Sequence, residues 1–145
     1  MAGFANDYET SILNLILAAK AIANVADNAA AAPLTALWAS FHSADPADTG
    51  TQGTNEINYT GYTRVSVTRT TAGWTVANGS ASPVSAITFG QNTSTSTGTI
   101  THAAIGETSA STGGRIVVSG TITPNINFSQ NVTPSITTGS SFTLD

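Results

Sequence analysis

The sequence predicts a mainly β fold, a jelly-roll-like β-sandwich preceded by one N-terminal α-helix. Threonine and serine are frequent, with 25 and 16 copies among 145 residues, and β-branched threonine suits the pleated surface of a strand better than a helix. Charged residues make up only 8% of the chain, against about 25% in an average soluble protein. From Leu34 onward, short alternating segments follow one another at spacings of roughly eight to twelve residues, separated by Gly, Pro, Asn and Ser clusters. This pattern is typical of β-sandwiches and barrels.

The helix is predicted near the N-terminus, because residues 7–26 contain neither Gly nor Pro. Asn6 with Glu9 three residues later forms a capping-box pattern. Leu13 and Leu17 widen the apolar stripe of this helix. The stripe itself repeats at helical spacing and comprises Ile12, Leu15, Ile16, Ala19 and Ile22 or Ala23.

A length of 145 residues suits one compact core. We predict a helix and linker over residues 1–33 and a β-sandwich body over residues 34–145. The apolar helix is expected to be buried, either on its own β body or against another subunit, and both placements remain open. The candidate subunit interface consists of Ile12, Leu15, Ile16 and Ala19.

About eight strands are predicted in the body, without an assigned topology. Asp45-Pro46 ends the first strand, because proline cannot donate to a ladder and aspartate favours a turn. Residues 111–114 predict a hairpin turn. The predicted strands cover residues 34–43, 62–70, 73–76, 84–89, 97–106, 115–122, 125–128 and 141–144.

Composition argues against several classes of partner. The net charge is −4 and only four residues are basic, too few and too scattered to neutralise a run of phosphates, so no nucleic-acid partner is expected. No apolar run approaches the roughly eighteen residues that span a bilayer, so no membrane partner is expected either. The N-terminus lacks a basic export signal, which predicts synthesis in the cytoplasm.

The motif search predicts a protein without enzymatic activity, cofactor or metal. His42 and His102 are the two histidines, and neither lies in a metal-binding spacing such as H-E-x-x-H. His102 is expected to be structural, held by hydrogen bonds at a core edge or an interface. Asp45, Asp48 and Glu56 share one loop but lack the carboxylate spacing of a calcium loop, so a solvated loop is favoured. No nucleophile turn is present. His42, Asp45 and a serine could be combined into a hydrolytic triad, but among 16 serines such a combination carries almost no information.

Trp38 and Trp74 support a different hypothesis, a carbohydrate-binding module. Aromatic faces stack on the apolar faces of sugars, but tryptophans in strands are more often part of a core. The core interpretation is therefore favoured.

Several segments together resemble a family of small tailed-phage virion structural proteins, described as tail-fibre-like, minor structural or capsid decoration proteins. The similarity begins with LWASFHSADPADTG at residues 37–50 and continues through Gly53 and Asn55-Glu56. It extends through GYTRVSV at 61–67, AITF at 86–89, GTITHAAIG at 98–106 and the final segment 139–145.

The resemblance implies a virion structural protein that binds copies of itself, with a homotrimer expected, and neighbouring major capsid or tail proteins. A capsid decoration (cement) subunit that stabilises the shell is the leading interpretation. A tail or tail-fibre component that contacts the host is the alternative, and the carbohydrate-binding module is a third.

Glu56 and Arg64 lie on either side of Tyr62 in the similar segment. A pair between them would fix the long loop to the following strand. The alternative of two solvated charges stays open, because surface pairs contribute only about 0–1 kcal/mol.

Overall fold

The computed structural model describes residues 6–22 and 34–143, with side chains from residue 9 onward. The described chain is mainly β with one N-terminal helix, as predicted. The strand pairs β1-β6, β3-β4, β4-β9, β5-β8 and β6-β7 are antiparallel. The elements are α1 (Asn6–Ala18), β1 (Ala36–His42), β2 (Val65–Thr68), β3 (Trp74–Ala77), β4 (Ser80–Pro83), β5 (Ile87–Thr88), β6 (Gly98–Gly106), β7 (Ile116–Phe128), β8 (Ser135–Ile136) and β9 (Phe142–Thr143).

The described residues form two compact units, each assembled from separated stretches of chain. The first unit contains residues 6–22, 34–36, 68–86 and 137–143, and the second contains Leu37–Val67 and Ile87–Ile136. Helix α1 and the three-stranded sheet β3-β4-β9 belong entirely to the first unit. Most of the four-stranded sheet β2-β1-β6-β7 and the pair β5-β8 belong to the second.

In the first unit, helix α1 packs on β3 and β4. The two leucines that widen the apolar stripe are the ones that it buries, Leu13 at 6% and Leu17 at 1% exposure. The helix ends at Ala18, earlier than predicted, and the left-handed Ala19 (φ 55°) follows it. Arg69 donates hydrogen bonds to the backbone oxygens of Leu15 and Ile16. These interactions explain the early end, because a cation at the last turn satisfies free carbonyls and the negative end of the helix dipole.

The hairpin β3-β4 turns through Asn78 and Gly79, which have φ angles of 52° and 69°. Two successive left-handed residues are what a type I′ turn requires, and Asn-Gly adopts them at low cost. The Gly79 N–H also donates to Thr10 Oγ1 at 2.7 Å, which ties the turn to the helix.

In the second unit, the core lies between the four-stranded sheet and the β5-β8 pair. The Phe41 ring of β1 stacks on Phe89 with centroids 4.0 Å apart, and Tyr59 packs against Phe128 at 5.1 Å. Both phenylalanines of the stack are almost fully buried. This two-layer arrangement fits a sandwich, whereas sheets of four, three and two strands do not confirm a jelly roll.

The predicted strands at 34–43 and 97–106 are confirmed as β1 and β6, but other boundaries differ. The strand predicted over 84–89 is shorter in the structure, where β5 covers Ile87–Thr88, and β4 at Ser80–Pro83 was not predicted. The two strands predicted at 115–122 and 125–128 form one element, β7. Its pairing with β6 skips from Thr121 to Ile126, so Pro124 lies in an irregularity, where a missing N–H is tolerated.

Candidate functional site

A turn at Asp45-Pro46 opens the long loop of the second unit. The Asp45 carboxylate accepts a hydrogen bond from the Ala47 N–H at 2.9 Å, and the Asn55 side-chain amide donates to the Asp45 carbonyl at 3.0 Å. The first bond forms the turn at Asp45, and the second joins the two ends of the segment between residues 45 and 55. The turn predicted at this position is confirmed.

Glu56 and Arg64 form a bidentate ion pair. Arg64 Nε lies 2.7 Å from Glu56 Oε1, and Arg64 Nη2 lies 2.7 Å from Glu56 Oε2. The Arg64 side chain is 1% exposed and the Glu56 side chain is 9% exposed. The predicted pair is therefore confirmed, and the alternative of two solvated charges is wrong. Such paired, charge-assisted bonds fix the geometry of both side chains.

Tyr62 links this ion pair to strand β1. Its hydroxyl donates to Glu56 Oε1 at 3.0 Å and accepts the Phe41 N–H at 3.0 Å. Burial raises the pKa of Tyr62 far above its ordinary value, and the nearby Glu56 carboxylate raises it further. The phenol therefore stays protonated, as its donor role requires.

Arg64 and Gln52 converge on Thr108 in the connection between β6 and β7. Arg64 Nη1 donates to the Thr108 carbonyl at 3.2 Å, and the Thr108 N–H donates to Gln52 Oε1 at 3.2 Å. The fully buried Gln52 also donates from Nε2 to the Trp38 carbonyl at 3.0 Å. We call Gln52, Glu56, Tyr62, Arg64 and Thr108 the loop clamp, because together they join two loops to strand β1.

Two glycines make space for the loop clamp. A Cβ at Gly106 would lie 2.1 Å from Gln52 Cδ, and one at Gly114 would lie 2.2 Å from Thr108 Cγ2. Gly113 and Gly114 also have φ angles of 65° and 89°, which favour glycine. The hairpin turn predicted at 111–114 lies within this β6-β7 connection, as expected.

A cleft of about 450 Å³ lies beside the loop clamp. Glu56, Tyr62 and Arg64 contribute to its wall. Its remaining lining residues are mostly small and uncharged: Gly53, Ile57, Asn58, Thr63, Ser109 and Ser111. Since the two charged groups neutralise each other, the other polar groups along the cleft are uncharged hydroxyl and amide groups, beside an apolar lining of similar extent.

His42 and His102 face each other across β1 and β6 as direct register partners. The buried His42 donates from Nδ1 to the Thr54 carbonyl at 2.8 Å, which leaves Nε2 to accept from Ser40 Oγ at 3.0 Å. The His102 ring contacts Thr101 Oγ1 at 2.9 Å and a second threonine hydroxyl on β7 at 3.3 Å. Both histidines are thus held by hydrogen bonds, as predicted for His102.

Burial lowers the pKa of His42 below 6.5, an effect that its bond to the Thr54 carbonyl only partly opposes. The unfolded chain therefore binds this proton at a higher pH than the folded chain does. We expect the contribution of His42 to the free energy of unfolding to be complete above pH 6.5. As the pH falls below this value, the contribution should decline by up to about 1.4 kcal/mol per pH unit.

Denaturant unfolding of wild type and His42→Gln between pH 7.5 and 5 measures this effect. The wild type should lose stability faster than the variant on acidification. Parallel pH profiles for the two proteins would contradict the assignment.

The other polar and aromatic candidates do not form a metal or sugar site. Glu56 is engaged by Arg64, and residues 6–22 and 34–143 contain no group of three acidic, histidine or cysteine residues able to hold a metal. Trp74 is 1% exposed and packs edge-on against Phe142. Trp74 therefore cannot stack on a sugar. The hypothesis that Trp38 and Trp74 together bind a sugar was wrong, and the core interpretation of Trp74 is confirmed.

The candidate interface on α1 remains partly accessible. Ile12, Leu15, Ile16 and Ala19 are half-buried, in contrast to the buried Leu13 and Leu17. The structure therefore places the predicted residues beside the face that packs on β3 and β4. Their role in binding another subunit stays a prediction.

None of the helices formed by residues 6–22 and 34–143 is long and apolar enough to cross a membrane.

A family model described as "Podophage GP4 fiber I protein gp80" matches residues 13–142. The match spans both compact units, the loop clamp and the described strands almost to the end of β9. No curated protein matches the sequence.

Proposed function

Since the chain belongs to the podophage GP4 fiber I protein gp80 family, we propose that it is a subunit of a podophage tail fibre. It is a structural component of the bacteriophage virion. The observation that supports the fibre assignment is the match over residues 13–142, which includes nearly all of the described chain. The resemblance found in the sequence to tailed-phage virion proteins is thereby confirmed.

The contacts of the second unit support a structural rather than a catalytic role. In the loop clamp, Glu56 and Arg64 neutralise each other and Tyr62 is held protonated. A general acid or base needs a proton that can be exchanged near neutral pH. We therefore propose a non-enzymatic protein in which these groups hold two loops rigidly for contact with neighbouring subunits.

Capsid decoration, the leading interpretation of the sequence, gains no support from a fibre family. Both functions rest on protein contacts, and they differ in location and copy number. Immunogold labelling of intact particles with an antibody to this chain, together with quantitative mass spectrometry of purified virions, separates them. We expect label at the tail and far fewer copies than the major capsid protein. Label over the whole shell would overturn the fibre proposal in favour of decoration.

We further propose that the accessible stripe of α1 contributes to attachment in the particle. Leu15→Asp with Ile16→Asp places two charges on residues that the monomer only half buries. We expect a cost in unfolding free energy of at most about 2 kcal/mol, with incorporation into particles lost. Thermal melting and Western blotting of purified virions measure the two effects.

The matched control is Leu17→Asp, which places one charge at a residue with 1% exposure. This variant should lose its cooperative fold and, for that reason, should not assemble into particles. A Leu15 and Ile16 double variant that enters particles normally would remove the stripe from the attachment surface.

A further inference from the structure

The hairpin turn Asn78-Gly79 has a chemical reactivity that its structural role does not use. It is the one Asn-Gly pair in the sequence. Asparagine is a thermolabile residue, and glycine after it favours loss of the side-chain amide, because a residue without Cβ leaves its backbone nitrogen open to attack the asparagine Cγ. Asn78 is exposed, and in the described part of the chain its side chain makes no hydrogen bond. The carbon that would be attacked is therefore accessible.

Helix α1 restrains the attacking nitrogen. The Gly79 N–H donates to Thr10 Oγ1 at 2.7 Å, and Gly79 is buried. Attack requires this nitrogen to lose its proton and to approach Asn78 Cγ. The bond to Thr10 stabilises the protonated nitrogen, and burial keeps hydroxide away from it. Since the buried Leu13 and Leu17 pack α1 on β3 and β4, the protection lasts as long as the helix stays in place.

We propose that Asn78-Gly79 is a deamidation site that helix α1 protects through the Thr10 hydroxyl. When the helix leaves the hairpin, the Gly79 nitrogen attacks Asn78 Cγ. The new C–N bond closes a succinimide ring, and the side-chain nitrogen leaves as ammonia together with the proton of the Gly79 N–H. One water molecule then opens the ring at either carbonyl, which gives aspartate or isoaspartate at position 78. One water is consumed and one ammonia is released, without an oxidant or a reductant.

Neither product fits the packed arrangement of helix and hairpin. Isoaspartate adds a methylene to the backbone, which disrupts a two-residue type I′ turn. Both products also add a negative charge to a turn that already lies against a carboxylate, since a Cβ at Gly79 would lie 2.8 Å from Glu9 Oε2. Deamidation would therefore make a transient release of α1 permanent. The reaction is independent of whether the protein belongs to the fibre or to the shell.

The rate of deamidation in mildly alkaline buffer tests the proposal. Trypsin releases residues 70–115, and fragmentation of this peptide in the mass spectrometer locates the modification at Asn78. Folded wild type should react at least about tenfold more slowly than the same chain unfolded in urea. Thr10→Val keeps the shape of the side chain but removes the acceptor, so it should react about two- to tenfold faster than wild type.

Two variants are matched to Thr10→Val. Thr10→Ser retains the hydroxyl and should react at the wild-type rate. Thr75→Val makes the same substitution at an exposed residue of the same hairpin and should also leave the rate unchanged. The proposal is overturned if folded and unfolded wild type react equally fast, or if Thr10→Val reacts no faster than Thr75→Val.

Hydrogen exchange of the wild type gives a second measurement, which does not depend on how well Thr10→Val folds. In a two-residue hairpin the Gly79 N–H has no ladder partner, so its protection reports on Thr10. Slow exchange of this N–H supports the proposal, and exchange at the rate of the unfolded chain contradicts it. Deamidated protein separated by ion exchange should melt at a lower temperature than unmodified protein. An unchanged melting temperature would refute the permanent release of α1.

Discussion

Replacing Arg64 with methionine should lower the free energy of unfolding by about 3–5 kcal/mol, because removal of one partner leaves a buried charge uncompensated. Glu56 is only 9% exposed and would lose both guanidinium bonds. The Thr108 carbonyl would also lose a donor. Methionine keeps most of the side-chain volume, so the loss reports on the charge rather than on a cavity. Urea unfolding followed by circular dichroism measures it.

Arg115→Met is the matched control, since Arg115 pairs with Glu107 at 3.1 Å but is 84% exposed. Its cost should stay below about 1 kcal/mol. A second control, Glu56→Leu with Arg64→Met, removes both charges and should recover part of the loss. Equal costs for Arg64→Met and Arg115→Met would show that the loop clamp contributes no more than a surface pair.

Phe41→Ala should cost about 3–5 kcal/mol of unfolding free energy, the usual range for removing a buried phenylalanine ring. Phe41 is fully buried in β1, and its ring stacks on Phe89. The same Phe89 stacks on Tyr62 with centroids 5.7 Å apart. Deleting the Phe41 ring leaves a cavity beside Phe89 in the core of the second unit, because close-packed cores collapse only partly. The midpoint of urea unfolding should fall accordingly.

Val84→Ala, at a residue that is 44% exposed, removes apolar atoms without opening a cavity. Its effect should remain within about 0.5 kcal/mol. A Phe41→Ala variant as stable as Val84→Ala would place the core of this unit elsewhere.

The sequence predicts the central strands β1 and β6 well, since β1 is a mostly apolar run and turn residues bound both strands. Strand β4 was missed because it consists of Ser80, Ala81, Ser82 and Pro83, side chains too small to produce a clear hydrophobic alternation. The signal that could have found it is Asn78-Gly79, a strong hairpin motif. The end of α1 could not be predicted, because Arg69, which binds its last turn, lies more than fifty residues away.

The loop clamp was only partly visible in the sequence. The spacing of Glu56 and Arg64 indicated a pair, but their burial depends on segments far along the chain, including the Thr108 connection. Gln52 carried no signal at all, since an amide in a polar loop is usually solvated. Only the tertiary structure places Gln52 between the backbones of Trp38 and Thr108.

The interleaving of the two units constrains how the protein is made. The helix of the first unit is synthesised before the second unit, but strand β4 pairs with β9 (Phe142–Thr143), which follows the last strand of the second unit in the sequence. The second unit lies between these two stretches and has all its strands by Ile136. On the ribosome, the second unit can therefore complete its pairing first, while the sheet of the first unit forms only after β9 has been synthesised. On a ribosome stalled before residue 142, the second unit should thus be folded while the flanking segments of the first unit remain unfolded. Limited proteolysis of the nascent chain would detect this difference.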